Sequence, residues 1–296
     1  MPASTEVWMH TESNRDFLQF HDLRPDTVLS IIERAQVLAA AWNDRAMPQN
    51  LAGKRVALIV DDGGWRNTAA FDLGIQAMGG ICVQPPIKFN VREATADLAR
   101  YLDNWFDVLV VRTWELAVLQ ELASRADAPV VNARTRSNHP CETLGDLAYV
   151  RHKRAHLDGL KVVGVAPDDN ILRSWVEASI ALPISVTQAY PADWHIRDMA
   201  SPNFTATTRL DALFDADVII TDCWPDGVRE DQVEDYRISA SILDRCRPDV
   251  IFLPCPPVTR GQEVSTDAMS HPACQSPPAK AYLLHAQNAL LEWVVA

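Results

Sequence analysis

Short, mainly apolar segments that read as strands punctuate this chain at intervals, at 56–60, 81–84, 107–111, 129–131, 161–166, 184–189, 217–221 and 250–253. Between them, helical spacing recurs in 17–42, 65–78, 92–105, 116–125, 140–152, 168–180, 231–246 and 280–295. In the first helical segment Leu18, Leu23, Val28, Ile31, Ile32, Ala35, Val37 and Leu38 fall on one side, and Asp26-Thr27 offers a cap. Ser137 or Asn138 offers a cap for the helix that opens at Pro140. Apolar runs without polar alternation belong to strands covered on both faces. Strands alternating with helices at this spacing predict a doubly wound parallel sheet. The pattern restarts near 145–155. The expected α/β architecture is two doubly wound parallel-sheet domains, 1–148 and 149–278, with a C-terminal helix at 279–296 packing back on the first. Residues 1–16 read as a loose arm, and 192–208 as a polar loop over a site or an edge.

The first βα unit is RVALIVDDGGWRNTAAFDLGIQAMGG, residues 55–80. Strand, glycine turn and helix together aim free backbone N–H groups and the positive end of a helix at one spot, which suits a phosphate or carboxylate. Arg66 in the first turn adds a charge with bidentate reach. Asp61 and Asp62 oppose an anion there. Glycine turns before helices are also ordinary parts of such folds.

Composition narrows the function classes. A formal net charge of -12 over 296 residues supplies no basic face for nucleic acid. No apolar run approaches membrane-spanning length, and the opening residues lack the layout of a signal peptide, so the protein reads as cytoplasmic. The six cysteines (Cys82, Cys141, Cys223, Cys246, Cys255 and Cys274) include no C-x-x-C pair. Neither a zinc site nor a disulfide framework is expected, and no metal or cofactor. No G-x-G-x-x-G, H-E-x-x-H or G-x-x-x-x-G-K-S/T pattern occurs.

In open parallel sheets, ligands bind beyond the carboxyl ends of the strands. That rule gathers Gly64, Trp65, Arg66, Arg112, Thr113, His139, Asp168, Asp169, Asn170, Asp222, Cys223, Trp224, Cys255 and Arg260. The set suits a small, polar, anionic molecule held between two domains. Each member also has a plain structural explanation. Arg66 could sit on the surface, His139 could hydrogen-bond at a helix entry, and Cys255 could be a small buried hydrophobe.

Several of these residues stand in a telling order. His139-Pro140-Cys141 is followed by Leu144 and Asp146-Leu147, and Arg112-Thr113 closes an apolar run. Asp222 stands with Trp224, and Cys255 with Pro257, Arg260, Gly261, Glu263 and Val264, ahead of His285-Ala286-Gln287. In this arrangement the chain resembles the aspartate/ornithine carbamoyltransferase family, the ornithine branch most, from Phe17 to the last helix. The resemblance implies carbamoyl phosphate bound in the first domain and an amino acid in the second. It implies attack of the amine on the carbamoyl carbon, release of phosphate, and a homotrimer with sites near subunit boundaries. It makes Arg112, His139 and Cys255 the catalytic residues. Gly64, Trp65, Arg66, Asn67, Thr68, Glu142 and Arg260 fall to the anionic donor, and Asn170, Asp222 and Cys255 to the amine or amino-acid acceptor.

The departures from that family share a direction. Its phosphate cradle S-T-R-T-R reads Gly64, Trp65, Arg66, Asn67, Thr68, which keeps only the central arginine. Its H-P-x-Q glutamine is Glu142, the arginine before the final His-Ala-Gln is Leu283, and its S-M-G loop is Pro225-Asp226-Gly227. Each lost phosphate contact is worth about 0.5–3 kcal/mol. Two readings follow. One is a carbamoyltransferase-like enzyme with an altered phosphate loop, moving a carbamoyl or related acyl group to an amine. The other is a non-catalytic binding or regulatory relative that no longer binds carbamoyl phosphate.

Overall fold

The computed structural model describes residues 15–61, 63–89 and 93–296. Most of the expected arm, Asp62, and the expected helix start at Arg92 lie outside the described residues. In the first half, β1 (Arg55–Val60), β2 (Ile81–Val83), β3 (Val108–Arg112) and β4 (Val130–Arg134) form a parallel sheet in the order β2-β1-β3-β4. Its helices are α1 (Pro25–Asn43), α2 (Trp65–Ala77), α3 (Thr95–Asp103), α4 (Leu116–Ala123) and α5 (Pro140–Arg154). In the second half, β5 (Lys161–Val165), β6 (Ser185–Ala189), β7 (Phe204–Thr207), β8 (Val218–Thr221) and β9 (Ile251–Pro254) pair in parallel as β7-β6-β5-β8-β9. Helices α6 (Asn170–Ala181) and α7 (Ala240–Leu243) accompany it, and α8 (Ser276–Val295) closes the order. The expected pair of doubly wound sheets is present.

Each sheet reverses its winding once, between β1 and β3 and between β5 and β8. At such a reversal the connecting loops part and leave a crevice at the carboxyl ends of the strands. The strands around both crevices are buried along nearly their whole length, matching their apolar runs.

Several local expectations change. The Arg24 backbone caps α1 and Pro25 takes the first helical position, so Asp26-Thr27 lies inside the first turn. Phe17 pairs with the edge of β4, Asp16 accepts the Val130 N–H at 2.7 Å, and Arg15 donates to the Trp293 carbonyl at 2.7 Å. The end of the arm is therefore fastened. The expected loop at 192–208 contains the edge strand β7. The expected helix at 231–246 is broken into two 3-10 turns and the short α7. Its buried positions Val233, Ile238 and Leu243 step by five residues before Cys246 follows three later, and steps of five walk around a helix and do not line one stripe.

His139, not Ser137 or Asn138, occupies the cap position of α5. The Asn138 side chain turns inward instead. It donates to the Leu18 carbonyl and to Glu177 Oε1, both at 3.0 Å, and accepts from Asn132 and Thr135.

Helix α8 packs on α1, α2 and α5, as expected for a last helix returning to the first domain. Arg34 and Asn50 fasten it through Glu292, at 2.5 and 2.6 Å. A Cβ on Gly145 would lie 2.9 Å from the Leu283 Cα, so α5 and α8 approach each other backbone to backbone.

Candidate functional site

A cavity of about 560 Å³ opens where the two crevices face each other. From the first half it is lined by Gly64, Trp65, Arg66, Asn67, Arg112, Arg134, His139 and Glu142. From the second half come Asp169, Asn170, Ile171, Asp222, Cys223, Cys255, Pro256 and Pro257. All three arginines and the histidine belong to one wall, whereas the opposite wall contributes only carboxylates as charged groups.

The glycine turn places Gly64 at φ +106°, a left-handed conformation that side chains other than glycine's rarely adopt. The Arg112 guanidinium lies against its α-carbon, 2.5 Å from where a Cβ would stand. Trp65 opens α2 and is 70% exposed at the rim, with the Arg66 guanidinium 4.9 Å from its ring centre. Asn67 is buried, and its amide reaches the Ala133 carbonyl at 3.5 Å. Thr68 turns away: its hydroxyl donates to the Gly64 carbonyl, and it lines a neighbouring groove with Val60, Asp72 and Gln84. Arg260 also stays outside the cavity, donating to the Thr266 carbonyl at 3.1 Å. Asp61 is not in the cavity wall; Lys88 and Thr113 engage its carboxylate.

His139 is nearly buried, and its backbone N–H donates to Ser174 Oγ at 2.7 Å across the junction of the halves. Burial pushes its imidazole down to about 3, with Arg112, Arg134 and Lys280 adding to the fall against the pull of Glu142. It is therefore a neutral ring, able to donate or accept but not to act as a cation. Its Nε2 stands 3.9 Å from Glu142 Oε2.

Glu142 Oε1 lies 2.6 Å from the Lys280 ammonium, which also contacts Asp146 at 2.9 Å. Burial works to raise the Glu142 carboxyl, but Lys280, by charge and hydrogen bond, and Arg112 oppose it, and the group stays below its ordinary range. Asp146 is pushed up to about 6 by burial, with Lys280 opposing and Glu142 adding to the rise. Lys280, one helical turn before Leu283, thus supplies a cation behind the wall.

On the facing wall, burial and then Asp169 raise the Asp222 carboxyl to about 7. One of its oxygens accepts the Cys223 N–H at 2.8 Å. Burial and then Asp222 hold the Cys255 thiol well above its usual range, so it stays protonated. The Pro256–Pro257 peptide beside it is cis. Asn170 lines the cavity, but its amide nitrogen is engaged by the Thr135 carbonyl at 2.8 Å.

Arg134 and Lys280 were not singled out by the sequence. Arg134 obeys the strand-end rule, but the apolar run at 129–131 ends three residues short of it, while β4 continues through Asn132 and Ala133. Nothing local distinguishes Lys280, whose role exists only through the packing of α8 on α5. Among the described residues no group of three His, Cys, Asp or Glu side chains is placed to hold a metal ion. No helix there is long and apolar enough to cross a membrane.

Comparison with known proteins gives the same outline. The family described as aspartate/ornithine carbamoyltransferase, carbamoyl-P binding domain, matches residues 15–152. The companion Asp/Orn binding domain matches 158–294. An ornithine carbamoyltransferase of Chromobacterium violaceum is 26% identical, over 96% of this chain and 97% of its own. One from Roseobacter denitrificans is 29% identical, over 95% and 99%. Among solved structures, ornithine carbamoyltransferase from Pyrococcus furiosus superposes with a TM-score of 0.90 at 26% identity, covering 94% of this chain and 96% of that one. The Burkholderia thailandensis enzyme, at 24% identity and a TM-score of 0.88 over 95% and 98%, shares the fold.

Proposed function

The chain belongs to the aspartate/ornithine carbamoyltransferase family, and from that premise we propose that it transfers a carbamoyl group from carbamoyl phosphate to the amine of an amino-acid acceptor. The observation that carries this reading is the division of the cavity into an arginine wall and a carboxylate wall, with His139 and Glu142 on the former. A dianionic donor fits the first wall and a cationic amine the second.

In this reading Arg66 and the N–H groups that open α2 hold phosphate. The neutral His139 and one N–H of Arg112 donate to the carbamoyl oxygen, where negative charge grows as the amine adds, which leaves the other Arg112 donors for the phosphate. Glu142 accepts from the carbamoyl N–H. Asp222 orients the acceptor amine, with the Cys255 thiol beside it. The new N–C bond forms, the C–O bond to phosphorus breaks, and phosphate leaves with the bonding electrons. The amine's proton is lost to phosphate or water. Holding both reactants between the walls converts a bimolecular step into one within a complex. Trp65 and Gly64 in place of two hydroxyl donors make the phosphate loop this protein's own variant.

The test is phosphate release and ureido product, measured with carbamoyl phosphate and L-ornithine or L-aspartate. Product formation that Arg112→Ala abolishes in a folded protein supports the reading. Carbamoyl phosphate binding without product from any amine would assign the binding-protein role instead. Light scattering in solution tests the homotrimer that the family resemblance implies, and limited proteolysis the division at 148 and 278.

A further inference from the structure

The register of the first sheet slips at the cavity. β3 and β4 pair regularly from Leu109–Val130 to Val111–Asn132, and then Arg112 stands beside Arg134, leaving Ala133 without a partner. Side chains alternate along a strand, so in unbroken register the residue beside Arg112 would be Ala133 and Arg134 would face the other side. The extra residue re-aims Arg134, as bulges next to active sites do. Both arginines line the cavity.

Each is positioned by its surroundings. Arg112 lies against Gly64, where only a missing side chain leaves room. The Arg134 guanidinium carbon lies 5.0 Å from the centre of the Trp114 ring, and Arg136 stands 4.5 Å from the same ring. Backbone bonds from Thr113 N–H to the Arg134 carbonyl, 3.0 Å, and from Arg136 N–H to the Trp114 carbonyl, 2.8 Å, hold that indole next to the bulge. Meanwhile position 283, where the family resemblance puts an arginine, carries a leucine that is 2% exposed and does not line the cavity.

We propose that Arg134 is a substrate-contacting residue that forms, with Arg112, a paired clamp on one oxyanion: the phosphate of the donor. The clamp places at the end of β4 a cavity-lining cation that α8, whose Lys280 stays behind the wall, does not deliver. Two planar guanidiniums lining one cavity from adjacent strand ends can each offer an N–H pair to the phosphate oxygens. They neutralise the charge that accumulates on the bridging oxygen as the C–O bond breaks. The identification of the oxyanion as phosphate rests on the carbamoyl-transfer reading, whereas the clamp itself does not.

The full chain is titrated calorimetrically with inorganic phosphate and with carbamoyl phosphate, as wild type, Arg134→Gln and Arg134→Lys. Loss of one charge-assisted contact should weaken both ligands by roughly tenfold or more in the glutamine variant, and less in the lysine variant. The Michaelis constant for carbamoyl phosphate should rise while that for the acceptor stays within about twofold. Chemical modification of wild-type arginines by phenylglyoxal, mapped by peptide, should show Arg134 protected by phosphate, a readout needing no variant. Unchanged affinity in a folded Arg134→Gln, no binding of either anion by the wild type, or a change confined to the acceptor would each overturn the clamp. Weakened phosphate binding in a protein that never turns over would keep the clamp and remove the carbamoyl-transfer reading. Normal turnover with unaltered affinity would do the reverse.

Discussion

Lys280 Nζ stands 2.6 Å from Glu142 Oε1, and this contact ties the last helix to the cavity wall. Because the same ammonium serves Asp146 at 2.9 Å, one cation balances two buried carboxyls. Removing the cation and removing one carboxylate are therefore unequal changes. Lys280→Met leaves buried charge without a partner and should cost about 3–5 kcal/mol in chemical denaturation. Glu142→Gln leaves Lys280 paired with Asp146 and should cost about 1–3 kcal/mol. Equal losses would show that the pair is not coupled as the distances imply.

Gly64 is constrained twice, by its backbone and by Arg112. Gly64→Ala should lose about 1–3 kcal/mol through the left-handed φ. It should also displace the Arg112 guanidinium and raise the Michaelis constant for the donor, not the acceptor. Trp65→Thr, by contrast, changes a residue that is 70% exposed and should leave stability within about 0.5 kcal/mol. Restoring the family's Ser-Thr pair is thus damaging at the first position and mild at the second. An unaltered donor constant in Gly64→Ala would refute the Arg112 half of this explanation.

The pH dependence of turnover should follow Asp222. With the carboxyl raised to about 7, its ionised form is lost as pH falls through neutrality. The kcat/KM for the acceptor should decline below about pH 7, and Asp222→Asn should flatten that component while lowering the plateau. His139, pushed down to about 3, should contribute no limb between about pH 5 and 8. A profile that Asp222→Asn leaves unchanged in shape would count against the acceptor role.

Stability should report Glu177 with a definite sign. Burial raises this carboxyl to about 7, against hydrogen bonds from Asn138 and the Phe20 N–H. A group whose folded pKa is raised contributes fully below its unfolded value and loses that contribution as pH rises through the folded one. Between about pH 4.5 and 7, Glu177→Gln should therefore gain on the wild type by roughly 3 kcal/mol. The wild-type-minus-variant difference cancels the other titrating groups. A difference constant with pH would mean that the carboxylate is not desolvated as its burial suggests.

The two sheets were legible because strands buried on both faces must be apolar through their middles, and 108–111 and 218–220 are. Four residues that line the cavity were legible for a related reason, since Arg112, His139, Asp222 and Cys255 directly follow apolar runs or open a helix. Periodicity does not register pairing between strands, so the slip that turns Arg134 inward was invisible. The bond between Lys280 and Glu142 spans helices far apart in sequence and leaves no local trace. Arg260 and Thr68 failed for the opposite reason. They occupy the right positions in a motif, yet their side chains are taken up by the Thr266 and Gly64 carbonyls. The helical reading of 231–246 failed where apolar spacing was counted without the angle between buried positions.

The place of α8 has a consequence for synthesis. The first sheet and its helices leave the ribosome well before residues 276–295 do, at about 5–20 residues per second. Until α8 arrives, the groove between α1, α2 and α5 has no cover, and Glu142 and Asp146 face each other without Lys280. The nascent first half is therefore an unfinished object, with an apolar trough and two unbalanced acids. A chain stalled before residue 276 should engage chaperones or aggregate, even though every first-half residue that lines the cavity has already been made.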